Sequence, residues 1–157
     1  MAATTGRPPE EIAKRPVLRR KIWSRLHKKD KNWMGIICGD TGSGKSLFGL
    51  RLAELIDPDF TVDQVAFTLQ EFMELVNDRS YGRGSAILFD EVGVALDAAT
   101  HYDHDQLRIN HILETWREQN RALIMTAPHI RLVQKKSRGL LHAQLDMLEI
   151  DYERWLS

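Results

Sequence analysis

The chain has 157 residues, of which 43% are hydrophobic and 28% are charged, as is typical of a single folded domain. It has no apolar run of the roughly 18 to 20 residues that a membrane-spanning helix needs. Its single cysteine, Cys38, excludes an internal disulfide framework and a four-cysteine zinc site. We therefore expect one domain without a membrane segment, in the cytoplasm.

The net charge of zero hides an uneven distribution of charge along the chain. Residues 1–31 contain ten Lys or Arg and three Asp or Glu, a net charge of +7, and the remaining residues carry −7. We interpret 1–31 as a basic N-terminal arm and helix, and 32–157 as the main domain. Such an arm suits contact either with nucleic acid or with the acidic surface of a neighbouring subunit.

Within the arm, the apolar residues that follow Pro16 recur at helical spacing. Leu18, Ile22 and Leu26 are four residues apart and stand among Lys and Arg residues. This pattern predicts a short basic amphipathic helix whose apolar stripe packs on the core.

Beyond the arm, short apolar runs alternate with segments of helical periodicity. The pattern predicts a strand at 33–38, a helix at 45–56, a strand at 64–67, a helix at 69–77 and a strand at 86–89. A helix at 105–119, a strand at 122–126, a helical segment at 130–141 and a strand at 143–150 follow. We expect a three-layer α/β fold, with a mainly parallel sheet of about five strands and helices on both faces. Ligands of such sheets bind at the carboxyl ends of the strands.

A glycine-rich turn stands between the first predicted strand and the following helix. Residues 39–46 match G-x-x-x-x-G-K-[ST], the Walker A pattern of P-loop NTPases, at every fixed position. In this chemistry, backbone N–H groups and the helix N-terminus cradle phosphates, Lys45 spans the β- and γ-phosphates, and the Ser46 hydroxyl ligates Mg²⁺. The motif predicts that ATP and Mg²⁺ bind here, through Gly39, Asp40, Thr41, Gly42, Ser43, Gly44, Lys45, Ser46 and Leu47.

Two acidic residues end the apolar strand at 86–89, in the manner of a Walker B motif. Asp90 is placed to hold the hydration shell of Mg²⁺, and Glu91 to polarise a water aligned with the γ-phosphate. We expect their strand to lie next to the strand that carries the loop. A small-molecule kinase needs an acceptor pocket instead of a water-activating base, and it usually has an Arg-rich lid, for which the sequence shows no clear candidate. Glu91 therefore favours hydrolysis over phosphoryl transfer.

Three further residues are candidates for catalysis. Thr126 ends an apolar strand and is placed to contact the γ-phosphate or its water. Arginines stabilise the charge that develops on a transferred phosphoryl group. Arg117 and Arg138 are therefore candidates for an arginine finger supplied to a neighbouring subunit.

Together these motifs resemble ATPases like the zonular occludens toxin protein of filamentous phages, and related ATP-binding proteins of mobile elements, in the FtsK–HerA branch of P-loop motors. The matching blocks are Gly39 to Ser46, Asp57 to Phe60, Ile87 to Gly93, Thr115 to Arg117, Thr126 to Pro128 and Arg138 to His142. The resemblance implies ATP-driven translocation, packaging or transfer of DNA by a ring, for example a hexamer, with sites at subunit interfaces.

The sequence also departs from this group. Phage members carry a membrane-spanning segment and a further domain after the ATPase, whereas this chain ends at Ser157. We therefore expect DNA contact to come from the basic arm or from loops. Two other interpretations remain open: a nucleotide-dependent switch or assembly module without translocation, and a small-molecule kinase.

Overall fold

The computed structural model describes residues 17–92 and 102–148, which form an α/β fold around a five-stranded, all-parallel sheet. The strands lie in the order β2-β3-β4-β1-β5. They are β1 (Trp33–Cys38), β2 (Val65–Ala66), β3 (Ala86–Phe89), β4 (Ala122–Ala127) and β5 (Ala143–Asp146). The helices are α1 (Val17–Trp23), α2 (Lys45–Ile56), α3 (Leu69–Asn77), α4 (Tyr102–Thr115) and α5 (Lys135–Arg138).

The three central strands are buried along their whole length because helices cover both faces of the sheet. Successive side chains of a strand point to opposite faces. On one face, Ile36 belongs to a core with Phe72 of α3 and Leu113 of α4. On the other face, Ile37 belongs to a second core with Leu52 of α2. These two cores give the three layers expected from the sequence.

The basic segment after Pro16 packs on the sheet as predicted. Helix α1 continues into a π-helical segment, Ser24–Lys28. Ile22 and Leu26 are fully buried in the second core, beside α2. The part of the basic arm before Val17 lies outside the described residues.

A buried carboxylate ties the end of α2 to the start of β3. Asp57 Oδ2 accepts hydrogen bonds from Gln64 Nε2 at 2.8 Å and from the Ala86 backbone N–H at 3.0 Å. Its Oδ1 accepts the backbone N–H of Asp59 at 3.0 Å. These amide donors satisfy a carboxylate that would otherwise be costly to bury. They also fix where β3 begins, and therefore where the residues after it lie.

The second strand is shorter than the predicted 64–67. Thr61 and Gln64 form a reciprocal capping box that folds Val62–Gln64 into a 3₁₀ turn, so β2 starts only at Val65. It stops after Ala66, because the Glu71 carboxylate accepts the backbone N–H of Phe67 at 2.7 Å and that of Thr68 at 3.1 Å.

The prediction of one helical segment at 130–141 is wrong. The structure has a 3₁₀ turn at Ile130–Leu132 and a single α-helical turn, α5. Between them Val133 is extended and buried in the core, which interrupts the helix. Its carbonyl accepts a hydrogen bond from Arg138 Nε at 2.8 Å.

The remaining boundaries differ by a few residues. Helix α4 begins at Tyr102 instead of 105 and passes after Thr115 into a 3₁₀ turn, Trp116–Glu118. Strand β5 ends at Asp146, whereas the prediction ran to 150, and 149–150 lie outside the described residues. None of the helices in 17–92 and 102–148 is long and apolar enough to cross a membrane.

Candidate active site

The glycine-rich turn of residues 39–44 leaves the carboxyl end of β1 and leads directly into α2. Gly42 and Gly44 have φ values of 82° and 86°, a left-handed conformation that side chains other than glycine rarely adopt. A Cβ on Gly39 would stand 2.7 Å from Ser43 Oγ and 2.9 Å from Met147 Cβ. The glycines of the motif are therefore required by this backbone path.

The N-terminus of α2 has polar groups available for an anion. Gly44, its N-cap, offers no side-chain hydrogen bond to the first turn, whose N–H groups have no partners within a helix. Ser43 Oγ is buried and has no hydrogen-bond partner among the described residues. A helix terminus with these features is suited to phosphate. Asp40, Thr41 and Leu47 are exposed at the same end of α2.

Lys45, the first residue of α2, is buried and folds back over the turn. Its side chain is only 4% exposed, and Nζ donates to the Asp40 carbonyl at 3.0 Å. The same Nζ lies 3.8 Å from Glu91 Oε1. One ammonium group therefore contacts both the glycine-rich turn and the acidic pair.

From the sequence we expected the strand before the acidic pair to lie next to β1, and this expectation is wrong. Strand β4 lies between β1 and β3, pairing with both. Thr126 of β4 stands opposite Ile37 of β1. As a result, the Thr126 side chain occupies the space between the turn and the acidic pair.

Two hydroxyl groups converge on one carboxylate oxygen at this position. Ser46 Oγ donates to Asp90 Oδ1 at 2.8 Å, and Thr126 Oγ1 donates to the same oxygen at 2.6 Å. Thr126 is fully buried and Asp90 nearly so. These bonds join α2, β3 and β4 at the carboxyl end of the sheet, where the sequence predicted the site.

Glu91 has a strained backbone. Its φ of 54° lies in the left-handed region, which is uncommon for a residue other than glycine and costs on the order of 1–3 kcal/mol. Its N–H donates to Thr126 Oγ1 at 2.8 Å, which holds this conformation. The side chain is 37% exposed, so its carboxylate is accessible to solvent.

The residues present fit a magnesium ion that is shared with a nucleotide. Mg²⁺ is usually held by one or two carboxylates and by substrate phosphates, with water completing the shell. Asp90 Oδ1 and Ser46 Oγ supply a carboxylate and a hydroxyl oxygen 2.8 Å apart beside the turn. Within 17–92 and 102–148, no group of three or more His, Cys, Asp or Glu could hold a metal by itself.

Among the described residues, neither arginine candidate has a contact with this cluster. Arg117 lies in the 3₁₀ turn before β4, towards the amino ends of the strands, and its side chain is outside the described set. Arg138 Nε is held by the Val133 carbonyl. A role for either residue would concern the site of a neighbouring subunit.

A third arginine has a structural role that we did not predict. Arg121 is buried, and its guanidinium donates to the carbonyls of Leu75, Val76 and Asp78 at the C-terminus of α3. It also lies over the Trp116 ring, 5.0 Å from the centroid. Burial lowers the pKa of Arg121, and Asp78 partly opposes this effect. Arg121 therefore caps α3.

Sequence reasoning also missed Met147, which covers the glycine-rich turn. Its N–H donates to the Cys38 carbonyl at 2.7 Å, and its side chain approaches Gly39 and Gly44. No local pattern identifies this contact, because the two segments are far apart in sequence. Next to it, burial raises the pKa of the Cys38 thiol and Asp146 raises it further, against an opposing effect of Lys45.

No protein-family model matches the chain, and no curated protein is detectably similar to it.

Proposed function

We propose that this protein is a Mg²⁺-dependent ATPase with a P-loop fold, whose site lies between the motif of residues 39–46 and the acidic pair Asp90-Glu91. The observation that carries the proposal is the convergence of the Ser46 and Thr126 hydroxyls on Asp90 Oδ1. It supports the view that the two sequence motifs, more than forty residues apart, form a single site.

Each residue then has a distinct task. The N-terminus of α2 and the glycine-rich turn bind the phosphates, and Lys45 neutralises charge on the β- and γ-phosphates. Ser46 and Asp90 hold Mg²⁺, which neutralises further phosphate charge when it is bound. Glu91, partly exposed, orients and polarises the attacking water.

Nucleotide binding would have to release one contact of the present arrangement. Lys45 Nζ lies 3.8 Å from Glu91 Oε1, and a phosphate that attracts Lys45 frees the carboxylate for water. Exchange of an ion-pair partner in this manner would couple arrival of the nucleotide to activation of Glu91.

The work done by this hydrolysis is proposed from the resemblance to motors of the FtsK–HerA branch. We propose that ATP turnover drives translocation, packaging or transfer of DNA for a virus or mobile element, by a ring of subunits. Arg117 or Arg138 would then complete the site of the neighbouring subunit.

Two substitutions test the ATPase assignment. Lys45→Ala should weaken binding of a fluorescent ATP analogue, since it removes the only buried cation beside the turn among the described residues. Glu91→Gln should keep the nucleotide bound while phosphate release slows by roughly 10²-fold or more, as for loss of a positioned base.

Matched controls come from the protein surface. Lys135→Ala and Glu74→Gln make the same chemical changes at exposed positions of α5 and α3, and should leave both assays unchanged. Nucleotide affinity that is unaltered in Lys45→Ala would remove the turn from the proposed site. Normal turnover in Glu91→Gln would show that another group activates the water.

A further inference from the structure

We propose that the exposed cations of residues 20–31 form a docking surface for the phosphate backbone of DNA, at the amino ends of the strands and thus at the end of the sheet opposite the candidate active site. We call this the basic surface. It consists of five exposed side chains: Arg20, Lys21, Lys28, Lys29 and Lys31. This inference deepens the proposed function and rests on it for the identity of the polymer.

The structure separates these cations from those with internal roles. Arg19 Nε donates to the Leu55 carbonyl at 3.0 Å, and Arg25 Nε donates to the Asn32 carbonyl at 2.5 Å. By contrast, the five cations of the basic surface form no ion pair or side-chain hydrogen bond with any residue of 17–92 and 102–148. Their positive charge is therefore not neutralised by that part of the chain.

The single acidic residue of the stretch is already engaged. Segment 17–32 contains seven Lys or Arg and one Asp, a net charge of +6. That residue, Asp30, forms an ion pair with Arg83 at 3.0 Å and accepts a hydrogen bond from Asn120 at 2.6 Å. Asp30 consequently lowers the potential of the basic surface less than a carboxylate without partners would.

The basic surface lies too far from the candidate active site to serve the same nucleotide. Lys31 stands just before β1, whereas the glycine-rich turn follows its last residue. The six residues of β1 separate these positions by about 20 Å. Arg83, which contacts the Leu26 and His27 carbonyls, ties the basic segment to the amino end of β3.

The chemistry of the basic surface fits a nucleic acid better than a membrane or a protein. The apolar stripe of its helix, Ile22 and Leu26, is fully buried and cannot enter a bilayer. Protein interfaces are depleted in Lys, which supplies four of the five residues. The helical residues 17–28 extend about 18 Å, along which duplex DNA presents one charge every 1.7 Å or so.

The test is binding of a labelled DNA duplex of about 24 base pairs, followed by fluorescence anisotropy from about 50 to 200 mM salt. If all five cations contact phosphates, log K should fall with log salt with a slope of about −4.5. In the triple variant K28A/K29A/K31A the slope should fall to about −2, with affinity reduced on the order of 10²-fold at about 100 mM salt. The triple variant R79A/R131A/K135A removes the same charge from exposed positions elsewhere and should bind like the wild type.

The proposal would be overturned by absence of DNA binding at low salt, by equal losses in both triple variants, or by no loss in K28A/K29A/K31A. Binding only to phosphatidylserine vesicles, or self-association that the same variant abolishes without any DNA binding, would also overturn it. Basal ATP hydrolysis, measured without DNA, keeps the two proposals separate. DNA binding through these lysines in a protein that hydrolyses no ATP would support the surface and refute the ATPase.

Discussion

Removal of the Thr126 hydroxyl is the most informative single perturbation of the candidate site. This oxygen donates to Asp90 Oδ1 at 2.6 Å and accepts the Glu91 N–H at 2.8 Å, and the residue is fully buried. Thr126→Val keeps the shape of the side chain and deletes both bonds. Ser46 still donates to Asp90, so that carboxylate keeps one partner, whereas the Glu91 N–H loses its partner.

The expected cost follows from the two bonds. A hydrogen bond to a charged group contributes about 1.5–3 kcal/mol, and a neutral one about 0.5–1.5 kcal/mol. We therefore expect Thr126→Val to lower the free energy of unfolding by about 2–4 kcal/mol. Because Glu91 loses the bond that holds its left-handed backbone, kcat should also fall, while KM for ATP changes little.

Urea unfolding followed by circular dichroism measures the first effect, and steady-state phosphate release measures the second. Thr126→Ser keeps the hydroxyl and should retain most of the activity, with a stability loss of about 1 kcal/mol for the missing methyl group. Thr115→Val is a matched control, since the Thr115 hydroxyl bonds only carbonyls of its own helix. A loss below about 1 kcal/mol in Thr126→Val would refute the view that this hydroxyl holds the acidic pair.

Two further predictions concern stability. Arg121→Lys should lower the free energy of unfolding by about 2–4 kcal/mol, because an ammonium cannot reach all the carbonyls that the guanidinium caps. A urea midpoint close to that of the wild type would contradict this role. Burial lowers the pKa of His27, and Arg83 lowers it further, so the folded protein binds a proton there less readily than the unfolded chain. The stability contributed by neutral His27 is thus present above about pH 6.5 and is lost as the pH falls below it. His27→Asn should therefore reduce the difference between urea midpoints at about pH 7.5 and about pH 5.5, and an unchanged difference would refute this assignment.

Several elements could be predicted from the sequence alone. The bounds of β1, α2, α3 and β3 agree with the predictions at 33–38, 45–56, 69–77 and 86–89. Each of these elements has a regular apolar pattern with a clear start or stop, such as Asp57-Pro58 after α2 or the capping residue Thr68 before α3. Local chemistry is enough to predict such boundaries, although Asp57 also fixes the start of β3 from a distance.

Other features depend on contacts that a local pattern does not contain. The insertion of β4 between β1 and β3 is a matter of strand pairing, and only that pairing brings Thr126 beside Asp90. Segment 130–141 has helical periodicity, yet burial of Val133 in the core overrides it. The capping role of Arg121 likewise depends on where the C-terminus of α3 comes to lie.

The central claim is that the glycine-rich turn and the acidic pair form one site for ATP and Mg²⁺. Calorimetric titration of the wild-type protein with ATP, in Mg²⁺ and then in EDTA, tests this claim most directly. We predict that one nucleotide binds per chain, and that it binds at least tenfold more tightly in Mg²⁺ than in EDTA, a difference of about 1.4 kcal/mol in binding free energy. Ser46→Ala should abolish this difference. Absence of ATP binding, or an affinity that neither Mg²⁺ nor Ser46→Ala alters, would contradict the account.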